Sequence, residues 1–220
     1  MCRAISLMRS DHLITAADGV SRCWWCGTDP LYVSYHDEEW GFPVIDDRRL
    51  FEKLCLEGFQ AGLSWITVLR KRENFRSAFR GFDPDQVARF SSRDVQRLLQ
   101  DSGIIRHRGK IESTINNARQ VLELQRRGET LANVVWQYAP EDEQRPVKVT
   151  GSFARETTRT PCSARLSHEL KSRGFTFVGP TTVYSFMQAM GLVNDHVDGC
   201  AIRPRVEAAR SSQARRTTSQ

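Results

Sequence analysis

Apolar residues along this chain recur mostly at three- and four-residue spacing, and seldom in alternation. Leu50, Phe51, Leu54 and Cys55 share one helical face, and Asp46-Asp47 just before them suit a helix N-terminus. Gly58 and Gly62 are expected to interrupt that helix. A second helix is predicted over about 63–79, with Ile66, Leu69 and Phe79 among its apolar positions and Arg70, Lys71, Arg72 and Arg76 on its polar face. Asp83-Pro84 opens a short helix, and Ser92 begins another in which Val95, Leu98 and Leu99 have helical spacing. That helix stops at Ser102-Gly103, and the next runs over about 107–126, so the segment reads as helix, tight glycine-containing turn, helix. Further short helices are expected over 131–138, 164–172 and 181–190. Residues 22–45 read as folded but irregular, and 139–162 as a long loop. With so little period-two alternation, the predicted class is all-α.

Composition adds boundaries to this pattern. With 220 residues, 40% of them hydrophobic and 26% charged, the chain suits one globular domain that needs no disulfides. The domain is placed at 22–202, between a disordered extension (1–21) and a basic, aromatic-free, disordered tail (203–220). Net charge is +6, but the tail alone holds five Arg and one Glu, which leaves +2 for everything else. Basicity by itself therefore does not mark a nucleic-acid binder; local clusters matter more, such as Arg106, Arg108 and Lys110. No stretch approaches the ~18–20 apolar residues of a membrane span. The first 21 residues lack the apolar core of a secretory signal and carry Asp11 and Asp18. The expectation is a cytoplasmic monomer without a membrane partner.

Three groups of residues carry candidate chemistry. Cys23, Cys26 and His36 lie near one end, and His196 and Cys200, one helical turn apart, near the other. Thiolate and imidazole are favoured zinc ligands, four of which close a tetrahedral structural site, so five candidates compete for four places. The turn at Gly103 can present backbone N–H groups and the start of a helix to a phosphate without reading sequence. Finally, Trp24, Trp25, Tyr32, Tyr35, Trp40 and Trp65 fall within 24–65, where an aromatic wall can take a planar ligand or simply pack the core. Glu57, among Cys55, Leu56, Gly58 and Phe59, is predicted to be partly buried, which costs free energy unless it has a partner or a task.

Long runs join these pieces: DPLYVSYHDEEWGFP (29–43), LFEKLCLEGFQAGLSWITVLRKRENFR (50–76), GIIRHRGKI (103–111) and RGFTFVGPTTVYSFMQAMGLVNDHVDGC (173–200). Together they resemble the bacterial 3-methyladenine DNA glycosylase I family over about 23–200. The resemblance implies an all-α helix-hairpin-helix glycosylase fold whose N- and C-terminal segments are joined by one structural zinc ion. The ligands it implies are Cys23, His36, His196 and Cys200, with Cys26 as a spare. It implies base contacts by Glu57, Tyr32, Tyr35 and Trp65, with Glu57 as the catalytic carboxylate. Gln60 and Leu63 would enter the gap left by an extruded nucleotide, and Gly103, Arg106, Arg108 and Lys110 would grip DNA. The implied substrate is double-stranded DNA containing alkylated purines, the implied product free 3-methyladenine and an abasic site. No lysine is apparent in the pocket motif, so no lyase step is expected. Phe59 stands where a polar residue is expected and, with Phe42, points to an altered damage range as one alternative. The other is a non-catalytic, zinc-stabilised DNA-binding protein.

Overall fold

The computed structural model describes residues 9, 10 and 12–217. In chain order they form three short strands, β1 (Arg9–Ser10), β2 (Leu13–Thr15) and β3 (Ser21–Cys23). The helices that follow are α1 (Pro30–Glu38), α2 (Asp47–Gln60), α3 (Trp65–Leu69), α4 (Arg72–Ala78), α5 (Pro84–Val87) and α6 (Ser92–Gln100). Then come α7 (Arg108–Arg126), α8 (Leu131–Trp136), α9 (Gly151–Glu156), α10 (Pro161–Ser172), α11 (Pro180–Ala189) and α12 (Arg203–Thr217). The expected all-α class is what the chain adopts. Among the described residues no helix is long and apolar enough to cross a membrane.

Where the sequence suggests one domain over 22–202, the structure divides into two compact units, each built from separated stretches of chain. The first takes the described residues up to Pro43, Pro140–Thr158 and those from Gln188 onward. The second takes Val44–Ala139 and Arg159–Met187.

Both ends of the chain belong to the first unit, against the expectation of disorder there. Strands β1, β2 and β3 form an antiparallel sheet with Leu13 opposite Cys23 and Thr15 opposite Ser21. Its turn closes through Gly19, in the left-handed region at φ 75°, and through the Asp18 carboxylate accepting from the Val20 N–H at 2.9 Å. Leu13 then packs on a buried cluster of Cys23, Val149, Val197, Cys200, Ile202 and Val206. The basic tail is likewise ordered: α12 buries Val206 in that cluster and, one turn on, buries Arg210, whose guanidinium donates to the Leu192 carbonyl at 3.0 Å. A seam this narrow is invisible to composition. Residues 1–8, 11 and 218–220 of the two predicted disordered segments lie outside the described residues.

Two other elements of this unit differ from expectation. The segment read as irregular contains α1, whose start is a plain signal overlooked: the Asp29 carboxylate accepts from the Leu31 and Tyr32 N–H groups, and Pro30 follows it. The expected loop over 139–162 contains α9, capped by the Thr150 hydroxyl accepting from the Phe153 N–H at 3.1 Å.

In the second unit α2 buries Leu50, Phe51, Leu54, Cys55 and Phe59 and packs on α3, α7 and α8. Gly58 does not interrupt it. The helix runs to Gln60, and a Cβ at Gly58 would sit 3.5 Å from that of Phe177, so Gly58 permits close packing. The predicted helix over 63–79 is two helices, broken at Arg70-Lys71, and the Lys71 ammonium donates to the Ser102 carbonyl at 2.9 Å in the α6–α7 turn. Phe59 is fully buried with its ring 4.6 Å from that of Phe75 and 5.9 Å from that of Phe79. Phe42 packs on the Cys23–Val206 cluster of the first unit. Phe59 is thus a core residue and Phe42 is partly buried against the core.

Candidate active site and metal cluster

In the first unit Cys23, His36, His196 and Cys200 converge, with their ligand atoms all within 4.8 Å of one another. Cys23 ends β3, His36 lies in the last turn of α1, and His196 and Cys200 follow α11. Gly199 makes that last approach possible: its φ is 90°, and a Cβ would meet the Leu13 side chain at 2.8 Å. His196 Nδ1 lies 3.2 Å from His36 Nε2, 3.5 Å from Cys200 Sγ and 3.7 Å from Cys23 Sγ. Each imidazole is oriented by its other nitrogen. His36 Nδ1 meets the Asp37 carboxylate at 2.7 Å, and His196 Nε2 meets the Trp40 carbonyl at 3.0 Å. Asp37 in turn accepts two bonds from Arg22 at 2.9 and 3.0 Å, and Arg22 also pairs with Asp18. Burial works against the Asp37 charge, yet Arg22 and His36 hold its carboxyl below the usual range. This outer layer was not part of the sequence expectation. Cys26 stands aside, its thiol donating to the Cys23 carbonyl at 3.1 Å. The five candidates thus resolve to a set of four that can hold a metal ion.

Helix α1 carries more than a ligand. Tyr32 and Tyr35, three residues apart, face the same way with ring centres 6.4 Å apart, and Trp25 lies 5.2 Å from Tyr32 and 5.1 Å from the His36 ring. Tyr35 is buried and Tyr32 half-buried. Anything that fixes His36 therefore also fixes these two rings.

In the second unit Glu57 is deeply buried, as expected, at 5% exposure. Its partner is Lys53, one turn earlier on α2, with Nζ 2.8 Å from the Glu57 carboxylate. The Lys53 ammonium also lies over the Trp65 ring, 3.1 Å from its centre. Burial pushes the Glu57 carboxyl above its ordinary range, and Lys53 opposes the push without cancelling it. A lysine does therefore adjoin the pocket motif, contrary to the sequence expectation. Its i, i+4 spacing to Glu57 was the available signal.

After α2 the chain turns at Gln60–Leu63. The Leu63 N–H donates to the Gln60 carbonyl at 2.6 Å, and Gly62 sits at φ 85°, where other residues are strained. Leu63 is exposed at the tip and Gln60 is half-buried. Lys110 corrects the expected phosphate-gripping set. It is buried, and its ammonium donates to the Phe59 and Ala61 carbonyls at 2.9 and 2.6 Å. It holds the end of α2 and the turn that presents Leu63, and burial lowers its pKa. Replacing Lys110 with Met leaves those carbonyls without their ammonium, and the expected cost is about 1–3 kcal/mol in urea denaturation. A stability equal to the parent protein's would show that the contact carries no weight.

Arg106 and Arg108 are exposed at the start of α7, with Arg108 3.2 Å from Glu112. Gly103 suits this turn through its lack of a side chain rather than through its backbone conformation. Its φ is outside the left-handed region, but a Cβ would lie 2.9 Å from the Asp101 carboxylate and 3.2 Å from the Asn74 side chain. The Asp101 carboxylate accepts from the Gly103 N–H at 2.8 Å, and Asn74 donates to the Gly103 carbonyl at 3.3 Å, closing the turn.

Comparison with known proteins bears on these sites together. The methyladenine glycosylase family profile matches residues 25–203. The chain is 54% identical over 185 residues to DNA-3-methyladenine glycosylase 1 of Escherichia coli (strain K12), covering 84% of this chain and 98% of that one. A crystal structure of 3-methyladenine DNA glycosylase I superposes with a TM-score of 0.77 at 55% identity, covering 82% of this chain and 98% of the other. A single-residue variant of a 3-methyladenine DNA glycosylase I, solved in complex with 3-methyladenine, superposes with a TM-score of 0.76 at 34% identity, covering 83% and 97%.

Proposed function

The chain belongs to the methyladenine glycosylase family and is a DNA glycosylase, and we propose that it removes 3-methyladenine from double-stranded DNA without cleaving the strand. The observation that carries the reading is the buried Glu57 carboxylate, linked to the Trp65 ring through the Lys53 ammonium, on a chain 54% identical to a 3-methyladenine glycosylase. Methylation at N3 makes the purine a cation and already a good leaving group. Water adds at C1′ and loses a proton, the C1′–N9 bond breaks, and its electron pair neutralises the departing base. The enzyme's task is then to extrude the damaged base and to favour a cation over neutral adenine.

Glu57 supplies the negative charge for that choice by accepting a hydrogen bond from the base edge. Trp65 offers a π face to the same cation. The resemblance assigns base contacts to Tyr32 and Tyr35 as well. Leu63 and Gln60 suit the gap left by the extruded nucleotide: the exposed apolar tip is pinned from beneath by Lys110. The α6–α7 turn with Gly103, Arg106 and Arg108 serves as the helix-hairpin-helix grip on phosphate. Lys53 is an ammonium paired with a carboxylate and no free nucleophile, which supports a hydrolytic reaction without a lyase step. The site of action is the cytoplasm, and the protein acts as a monomer.

The metal in this reading is zinc. Two thiolates and two imidazoles are its preferred donors, and ligand bonds of about 2.0–2.3 Å in a tetrahedron put neighbouring donors roughly 3.3–3.8 Å apart. The separations from His196 Nδ1 are 3.2–3.7 Å, Cys200 Sγ lies 3.6 Å from His36 Nε2, and all four ligand atoms lie within 4.8 Å of one another. With four protein ligands no position remains for water, so zinc would supply structure alone.

Purified protein incubated with methylated duplex DNA is expected to release 3-methyladenine, identified by chromatography of the freed bases, and to leave strands intact until alkali is added. Salt-dependent DNA binding with no base release would favour the non-catalytic DNA-binding alternative.

A further inference from the structure

The Lys53 ammonium, seated between the Glu57 carboxylate and the Trp65 ring, occupies the two features that a cationic purine would need. We propose that Lys53 is a positioning residue that keeps Glu57 ionised and correctly aimed while no base is bound. The proposal rests on the reading of Glu57 as the base-contacting carboxylate.

The physical problem is plain. A carboxylate buried in apolar surroundings with no counter-charge takes up a proton, and a neutral Glu57 loses its attraction for a cationic base. Within this unit Glu57 lies on a helix whose neighbouring side chains are Leu54, Leu56 and Phe59, all buried. Lys53 is itself buried, at 7% side-chain exposure, so little water screens the pair.

The other charged groups on the elements packed here have partners or point elsewhere. On α2, Asp47 accepts from the Leu131 and Ala132 N–H groups, Arg48 donates to the Gly81 carbonyl, Glu52 pairs with Arg76, and Arg49 is exposed near the helix start. The buried Cys55 thiol is pushed up and neutral. On α7, Lys110 holds the Phe59 and Ala61 carbonyls and Arg108 faces Glu112. Arg80, on the turn packed against α2, is exposed, and α3 and α8 carry no titratable side chain. Lys53 is the group in contact with Glu57 that favours its charge.

The test is the single-turnover rate of 3-methyladenine release from methylated duplex DNA, followed from about pH 5 to pH 8 for the parent, Lys53→Met, Lys53→Arg and Glu57→Gln. Loss of the counter-charge raises the Glu57 pKa further. The acid limb of the Lys53→Met profile is therefore expected to move to higher pH by about one unit, roughly a tenfold loss at the acid end. Lys53→Arg keeps a cation and is expected to hold the limb near its original position. An acid limb that stays in place in Lys53→Met, or a loss equal at every pH, overturns the proposal. If Glu57→Gln itself retains the parent's acid limb, the reading of Glu57 fails first. Met is apolar and close to Lys in length, which suits a buried helical position, and Lys53→Arg gives an independent readout should Lys53→Met unfold.

Discussion

Glu57→Gln is expected to slow base release by about a hundredfold or more, the scale of losing one preorganised electrostatic group in a water-poor site. Gln keeps the size of the side chain and an oxygen that can accept from Lys53, so circular dichroism is expected to show an intact fold. The effect has a definite pH sign. Burial holds the Glu57 pKa above the ordinary carboxylate range, and in the proposed mechanism the active form is the anion. The parent protein therefore loses activity as pH falls through that raised pKa, and Glu57→Gln, slow throughout, loses the limb. A variant that releases 3-methyladenine at the parent's rate would remove Glu57 from the mechanism.

His196→Ala and Cys200→Ser are expected to lower metal content and to drop the melting temperature by about 10 °C. That figure follows from losing ~3–5 kcal/mol at ~2–4 °C per kcal/mol for a chain of this size. The loss is large because the four ligands draw together β3, α1 and the segment after α11, and Cys23 and Cys200 also belong to the apolar cluster beneath them. Base release is expected to fall as well, since α1 carries His36 together with Tyr32 and Tyr35. Elemental analysis and calorimetry decide it: full metal content in both variants would show the ligand set to be wrong. Cys26→Ser is expected to retain the ion, because the Cys26 thiol contacts the Cys23 carbonyl and lies outside the cluster.

Much of the helical order was legible because it is written locally. Asp46 before α2, the reciprocal Ser91–Asp94 cap of α6 and the break after Gln100 are encoded within a few residues. The missed elements show two different failures. Helix α1 had its own start signal in Asp29-Pro30, which the density of Cys, Trp, Tyr and Gly obscured. The end segments had no comparable signal: β2 and α12 are ordered by a few side chains, Leu13, Val206 and Arg210, that find partners far away in sequence. Low apolar content predicts disorder only when no prepared surface is waiting for the residues that remain.

Residue types and their spacing determined by themselves the all-α class, the burial of Glu57 and Cys55 and a short menu of metal ligands. Each depends on helical periodicity or on what a side chain can chemically do. Tertiary structure decided which donors meet, where Lys110 spends its charge, why Gly103 must be small and that Lys53 sits between Glu57 and Trp65. Cys26 and Cys23 are equal as thiols, and only the fold directs one inward to the imidazoles and the other to a carbonyl. Lys110 reads as a basic surface residue beside Arg106 and Arg108, until the end of α2 brings it two carbonyls. A local pattern specifies the face on which a side chain emerges. The partners that side chain meets on folding specify what it does.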